Sequence, residues 1–318
     1  MKFARCALLI LLIAALAPPS FAFEAGTQGL LFLRLGVSER AAGMGEAFTA
    51  LADDASALYW NPAGLAAAQG TNLSLSHNEY MFSLRQEFAG VAHPTSMGTF
   101  AFGVTALTMD EMELREEVPT SDPLGHFSAF DVAFHAAWGR EFFGSVQAGL
   151  GLKWVYSRIY EDNARGLLFD FGLRHETRIP GLTVAAAALN LGQQFEYRSE
   201  AFDAPLTLKM GAALRTPFRP ADGDLNLAYD LLLVGDGDVT SDDSLGEARS
   251  ISARHHIGAE WQVLGMAALR AGYKLGYDSQ NFTAGAGIRL GAYRFDYAFL
   301  NVDNDLGNSH RLGMGIDF

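Results

Sequence analysis

Apolar and polar side chains alternate along most of this chain, in segments of about ten residues separated by turn-forming residues. Between 146 and 157 one face carries Val146, Ala148, Leu150, Leu152, Trp154 and Tyr156. The other carries Gln147, Gly149, Gly151, Lys153, Val155 and Ser157. The same period of two runs through 98–108 (Phe100, Phe102, Val104, Ala106), 127–138 (Phe130, Val132, Phe134, Ala136, Trp138), 167–175, 205–215, 224–233 and 250–262. It continues through 268–277, 282–290, 292–301 and 309–318, with fainter strands at 71–80, 85–94 and 182–190. The pattern predicts fourteen strands.

The connections sort by length. Long acidic ones, 109–126, 191–203 and 234–249, follow the third, seventh and ninth strands. Short ones, 139–145, 177–181 and 263–267, follow even strands. A transmembrane β-barrel has long loops outside and short periplasmic turns. An even count with both termini in the periplasm puts every long connection on the same, outer side. A soluble sandwich has no reason to sort its loops, and its strands average 5–6 residues. The expected fold is therefore all-β: a transmembrane antiparallel barrel over 71–318.

The ends agree with export. Residues 1–22 hold Lys2 and Arg5, an apolar run from Cys6 to Ala17, Pro18-Pro19, and Ser20-Phe21-Ala22 at a cleavage position. This is the pattern of a secretory signal peptide. The run is too short for the roughly 20 residues of a spanning helix. Cys6, the one cysteine of the chain, lies within that leader, so the mature protein is expected to have no disulfide. With 23 basic against 36 acidic side chains and a net charge of −13, nucleic acid is excluded as a partner. At the other end Leu312, Met314, Ile316 and Phe318 alternate, and the last residue is aromatic. This resembles the closing-strand signal of bacterial outer-membrane barrels, which implies the barrel assembly machinery and outer-membrane lipid as partners, with Phe318 as the assembly signal.

Residues 23–70 break the alternation. Ser38 is placed to cap a helix over Glu39–Leu51, Asp54 to cap Ala55–Tyr59, and Asn61 to cap a turn beginning at Pro62. Short Ala- and Gly-rich helices suit a narrow lumen, and a bore of about fourteen strands leaks unless it is filled. The segment 23–70 therefore reads as an N-terminal hatch. Asp53, Asp54 or Arg40 would meet inward residues such as Lys209 and Arg174.

The stretch SERAAGMGEAFTALADDASALYWNPAGLA resembles the N-terminal signature of the PorV/PorQ family, a branch of the FadL-like outer-membrane transporters. Arg40, Gly43, Met44, Gly45, Ala47, Asp53, Asp54, Tyr59, Trp60, Asn61, Pro62, Ala63 and Gly64 stand where that signature has them. The resemblance implies a fourteen-stranded barrel of the bacterial outer membrane with a hatch. It also implies one of two roles: passage of hydrophobic small molecules, or a shuttle and anchor for secreted proteins in type IX secretion. A structural barrel is the third alternative.

Other chemistries are weaker. GMGEAF lacks a preceding strand and the third glycine of a dinucleotide loop. The acidic loop 235–243 lacks EF-hand spacing. His255 and His256 point to opposite faces of a strand and cannot chelate together, and one is expected to line the lumen. No nucleophile elbow is present. The expectation is a barrel that is not an enzyme, with no cofactor and no metal. Tyr156, Trp138, Trp261 and Tyr277 read as interface girdles.

Overall fold

The computed structural model describes residues 29–80, 84–115, 122–198, 200–235, 251–277, 280–302 and 308–318. The expected signal peptide, most of loop 235–243 and residues 23–28 of the expected hatch lie outside the described residues.

Fourteen strands close into an antiparallel barrel. They are β1 (Asn72–Glu79), β2 (Leu84–Thr95), β3 (Gly98–Met109), β4 (Ala129–Phe142), β5 (Val146–Ile159), β6 (Asp162–Glu176), β7 (Leu182–Gly192), β8 (Thr207–Arg215), β9 (Asp224–Gly235), β10 (Ile251–Val263), β11 (Ala267–Leu275), β12 (Gln280–Leu290), β13 (Tyr293–Val302) and β14 (Ser309–Asp317). Each pairs with its neighbours in sequence, and β1 closes on β14 with Ser76 opposite Gly313. Closure pairs both edges of every barrel strand.

The alternation in the sequence is the alternation between the two faces of this wall. Along β6, Ala164, Leu168 and Asp170 are buried inside, while Leu167, Phe169 and Phe171 are exposed outside. Along β4, Ala133, His135 and Ala137 face in and Phe134 faces out. The outer surface is thus an apolar belt, and the inner one carries polar and charged groups held dry, among them Lys153, Asp230, His256 and Glu260. One end of the barrel bears the short turns, such as 95–98, 142–146 and 263–267. The other bears the long connections, two of which fold into small hairpins, Met112–Leu114 with Gly125–Phe127 and Phe195–Tyr197 with Glu200–Phe202.

The segment 29–70 lies inside the barrel, as the composition suggests. It enters at the long-connection end, where the Gly29 N–H donates to the Asp203 carbonyl at 3.1 Å. Leu30, Phe32 and Leu33 pack there against Val155, Leu168, Phe195 and Phe202. It leaves at the short-turn end, through Gly70 into β1. The expectation of both ends of the mature chain at one side therefore does not hold for the first described residues. Threading through the lumen places them at the opposite end.

The hatch helices are shorter than the pattern suggests. The segment expected over Glu39–Leu51 contains only α1 (Glu39–Gly43), and Ser38 (φ 73°) makes no capping hydrogen bond. Gly45 and Glu46 both adopt positive φ, 63° and 64°, which ends the helix. The Gly45 N–H then donates to Thr283 Oγ1 in the wall at 2.9 Å. Contacts with the wall, not helix propensity, set this backbone. A second short helix, α2 (Ala57–Trp60), and a 3-10 turn, Pro62–Ala67, follow. The α1 helix rests on β11 to β14 and the Pro62 turn on β3 to β6, so the hatch is a strut across the bore.

Candidate functional site

The Asn61-Pro62 step behaves as the capping pattern requires. The Ala63 N–H donates to Asn61 Oδ1 at 3.1 Å, and Pro62 begins the turn. Asn61 Nδ2 donates onward to the Thr49 carbonyl at 3.0 Å and to the Leu173 carbonyl of β6 at 3.3 Å. One amide therefore caps the turn, ties it to the rest of the hatch and pins it to the wall. Wall and turn approach so closely because positions 149 and 172 are glycines. A Cβ on Gly172 would overlap Asn61 Oδ1, and one on Gly149 would overlap the Pro62 carbonyl carbon. Gly43 abuts Gly285 on the opposite wall, and Gly64 packs on the Ala52 carbonyl.

Asp54 accepts from Ser56 N–H at 2.9 Å and from Ser56 Oγ at 2.5 Å, but the helix is Ala57–Trp60 and not Ala55–Tyr59, so its N-cap position falls to Ser56, which makes no side-chain cap bond. The other Asp54 oxygen binds Arg294 Nη2 of β13 at 2.9 Å. This is one end of a continuous chain of ion pairs. Arg294 binds Asp296 (3.0 Å), Asp296 binds Arg270 (2.7 Å) and Arg270 binds Glu260 (2.8 Å). Glu260 binds Arg40 (2.9 Å) and Arg40 binds Asp53 (2.7 Å). Three arginines alternate with four carboxylates, and both ends of the chain are hatch residues. The partners of Arg40 and Asp54 are thus Glu260 and Arg294. The expected partner Arg174 instead donates to the Ala50 carbonyl at 3.1 Å. The other, Lys209, sits 4.2 Å over the Trp60 ring.

Tyr59 and Trp60 hold the hatch to itself. Tyr59 Oη donates to the Leu33 and Leu35 carbonyls at 2.8 and 3.0 Å, and Trp60 Nε1 to the Val37 carbonyl at 2.9 Å. Their rings meet edge to face, 5.2 Å apart. Both are buried with Phe48, Leu58 and Leu65 in an apolar core.

Two hatch carboxylates differ sharply. Burial disfavours charge on Glu46, but Lys274 at 2.9 Å and Arg311 at 3.7 Å outweigh it and hold its pKa down to about 2. Glu39 has no such close partner. Burial pushes its carboxyl up to about 7, against the Ser76 hydroxyl, which donates at 2.5 Å. Its Oε2 lies where a Cβ on Gly313 would be.

Among the described residues a cavity lies on each side of the hatch, and these two share no lining residue. At the short-turn end a vestibule of about 1060 Å³ is lined by Arg40, Asp53, Asp54, Arg174 and Arg294. At the long-connection end a cavity of about 200 Å³ is bounded below by Glu46, Tyr59 and Trp60. Tyr277 lines this second cavity, where its hydroxyl meets His256 Nε2 at 2.8 Å, so it is no girdle residue. Of the histidine pair, His256 is inside, as expected of one of them, and His255 meets Tyr229 outside. Trp138 and Trp261 lie near the short turns and donate to the Met97 and Pro220 carbonyls. Phe318 stands on the same rim, its side chain exposed and its N–H donating to the Thr71 carbonyl at 2.8 Å. Among the described residues no group of three or more His, Cys, Asp or Glu side chains is placed to hold a metal.

Comparison with solved structures decides the fold. The toluene transporter TbuX of Ralstonia pickettii superposes with a TM-score of 0.62 at 14% identity, over 89% of this chain and 98% of that one. The CymD monoaromatic hydrocarbon channel gives 0.61 at 14% identity, over 89% and 98%. A Pseudomonas aeruginosa FadL homologue gives 0.58 at 12% identity, over 94% and 100%. The fold is the FadL-type barrel. By sequence, an uncharacterised protein family, UPF0164, matches residues 24–167, which takes in the hatch and the first strands. No curated protein matches the chain.

Most of what the sequence could not show lies on the wall. Glu260, Arg270, Asp296 and Arg294 anchor the hatch, and each reads along the chain only as the polar member of an alternating strand. The one available signal is a charged residue repeated at inward positions of consecutive late strands.

Proposed function

We propose that the protein is a hatch-gated outer-membrane barrel that passes small, largely apolar molecules. One observation carries this reading. The hatch that separates the two cavities is joined to the wall by side-chain hydrogen bonds, the chain of ion pairs from Asp54 to Asp53, and the pairs of Glu46 with Lys274 and Arg311, not by strand pairing. The barrel can therefore keep its closed sheet while the strut shifts. The fold likeness supports it, since proteins of this shape include a toluene transporter and a monoaromatic hydrocarbon channel. The apolar outer belt of the barrel supports placement in an outer membrane, with the long connections outside and Phe318 at the periplasmic rim for the assembly machinery.

The PorV/PorQ resemblance of residues 38–66 supports a second reading, a secretion shuttle that holds exported proteins. The two small hairpins at the outer end are the surface it would use. Reconstitution into liposomes separates the two. Passage predicts uptake of a small aromatic probe that rises on deletion of residues 29–66, with the barrel still closed. No uptake by either form would overturn passage and move the shuttle forward.

A further inference from the structure

The outward face of the β5–β6 hairpin changes character abruptly near the long-connection end. On β5 the outward positions from Val146 to Tyr156 are all apolar or aromatic, and the next one is Arg158. At about 3.3 Å per residue and a tilt of about 40°, that run climbs about 28 Å, close to the apolar band of a membrane barrel. On β6 the outward positions Phe171, Phe169 and Leu167 lead up to Arg165. Arg165 stands opposite Tyr156, and Arg158 opposite Asn163. The two arginines are therefore diagonal neighbours on the same face, within reach of one another's guanidinium groups. Beneath them Trp154 stacks on Tyr156, 6.3 Å between centroids.

Neither charge is met by the protein. Both side chains are exposed, and among the described residues neither makes an ion pair or a hydrogen bond. The other exposed arginines described at this end are paired, Arg85 with Asp110, Arg115 with Glu113 and Arg198 with Asp162. Asp162, at the tip of the same hairpin, is thus taken, and Glu161 beside it makes no ion pair among the described residues. In a chain of net charge −13, two adjacent cations without a carboxylate stand where an apolar wall meets the headgroup level. Guanidinium groups match phosphate geometry, and basic clusters at that level recognise anionic lipids.

We propose that Arg158 and Arg165 hold the phosphate of an anionic membrane lipid whose acyl chains lie on Trp154, Leu167 and Phe169. This goes beyond the passage reading and rests only on the placement of the barrel in a membrane. Free phosphate would meet the arginines but not the apolar wall directly beneath them, whereas a lipid covers both.

Trp154 reports on the site. Full-length protein is inserted into vesicles of phosphatidylcholine and phosphatidic acid, with one lipid or the other carrying brominated chains, which quench a neighbouring tryptophan. Trp154→Phe supplies the background. Phosphatidic acid should be preferred at Trp154 by at least about fivefold. Arg158→Gln with Arg165→Gln should abolish the preference. Each single variant keeps one arginine and should lose part of it, so the test stands even if the double variant does not assemble. Arg140→Gln, at the short-turn end, should leave it unchanged. Equal quenching by the two lipids, a preference that survives loss of both arginines or falls as far in Arg140→Gln, or one abolished by inorganic phosphate at the headgroup concentration would overturn the proposal. A protein that does not insert sinks the membrane placement. Insertion without the preference sinks this proposal alone.

Discussion

Asn61 occupies the space that a side chain at Gly172 would fill, so hatch and wall meet there as one amide seated on one missing Cβ. The two positions test each other. Asn61→Ala removes a cap worth about 1 kcal/mol together with its hydrogen bonds to Thr49 and Leu173. The barrel should still assemble, because strand pairing holds it, while small hydrophilic probes leak faster. Gly172→Ala should produce the same leak by pushing from the wall. Probe influx into liposomes beside heat-modifiable mobility on gels measures both, and a sealed barrel in both variants would remove Asn61 from the gate.

The ion-pair chain predicts a larger effect at its centre. Glu260 is fully buried between Arg40 and Arg270. Removing one partner of a buried pair costs about 3–5 kcal/mol because the other charge is stranded. Glu260→Gln should free the hatch and raise leak more than Asp53→Asn, whose carboxylate is 44% exposed. Liposome influx of a charged dye compares the two. Equal leak would mean that the chain does not hold the strut.

Hatch seating should weaken as pH rises. Glu39 titrates near 7 in the seated hatch, against 4.5 in water. The seated form therefore binds the extra proton between those values. Its contribution is fully present below about 4.5 and is lost as pH rises through about 7. Glu46 and Asp54 shift the other way, so their contributions fade only in acid, below the usual carboxylate range. Protease nicking of residues 29–70 should be faster at pH 8 than at pH 5.5, and Glu39→Gln should flatten the difference. An unchanged pH profile in that variant would rule Glu39 out.

The Phe318 side chain is exposed, while the Phe318 N–H closes the seam on Thr71. Phe318→Ala should therefore cost the finished barrel little, yet lower its yield in cells, as the proposed role of Phe318 as assembly signal requires. Comparing cellular yield with refolding into detergent separates the effects. Equal loss in both would make the ring a packing residue.

The wall was legible in the sequence and the hatch only in part. Every barrel strand separates two unlike surroundings, so each leaves a period of two, as β6 does with Leu167, Phe169 and Phe171 against Asp170 and Gly172. The Asn61 cap was legible because it acts on the next two residues. The helix expected over Glu39–Leu51 misled because the chain at Gly43 and Gly45 answers to the wall, through Thr283 some 240 residues on. The cations of the small cavity arrive one from each of several strands, so no local pattern gathers them.

Glu39 bonds Ser76 on the first barrel strand and lies against Gly313 on the last. Those two positions become neighbours only when the cylinder is complete. The lumen is thus stoppered by the event that makes it a lumen. A half-formed wall lacks the Ser76–Gly313 seat for Glu39 that the finished one provides. For a cell inserting such cylinders one after another, the seat of Glu39 comes into being together with the bore it helps to fill.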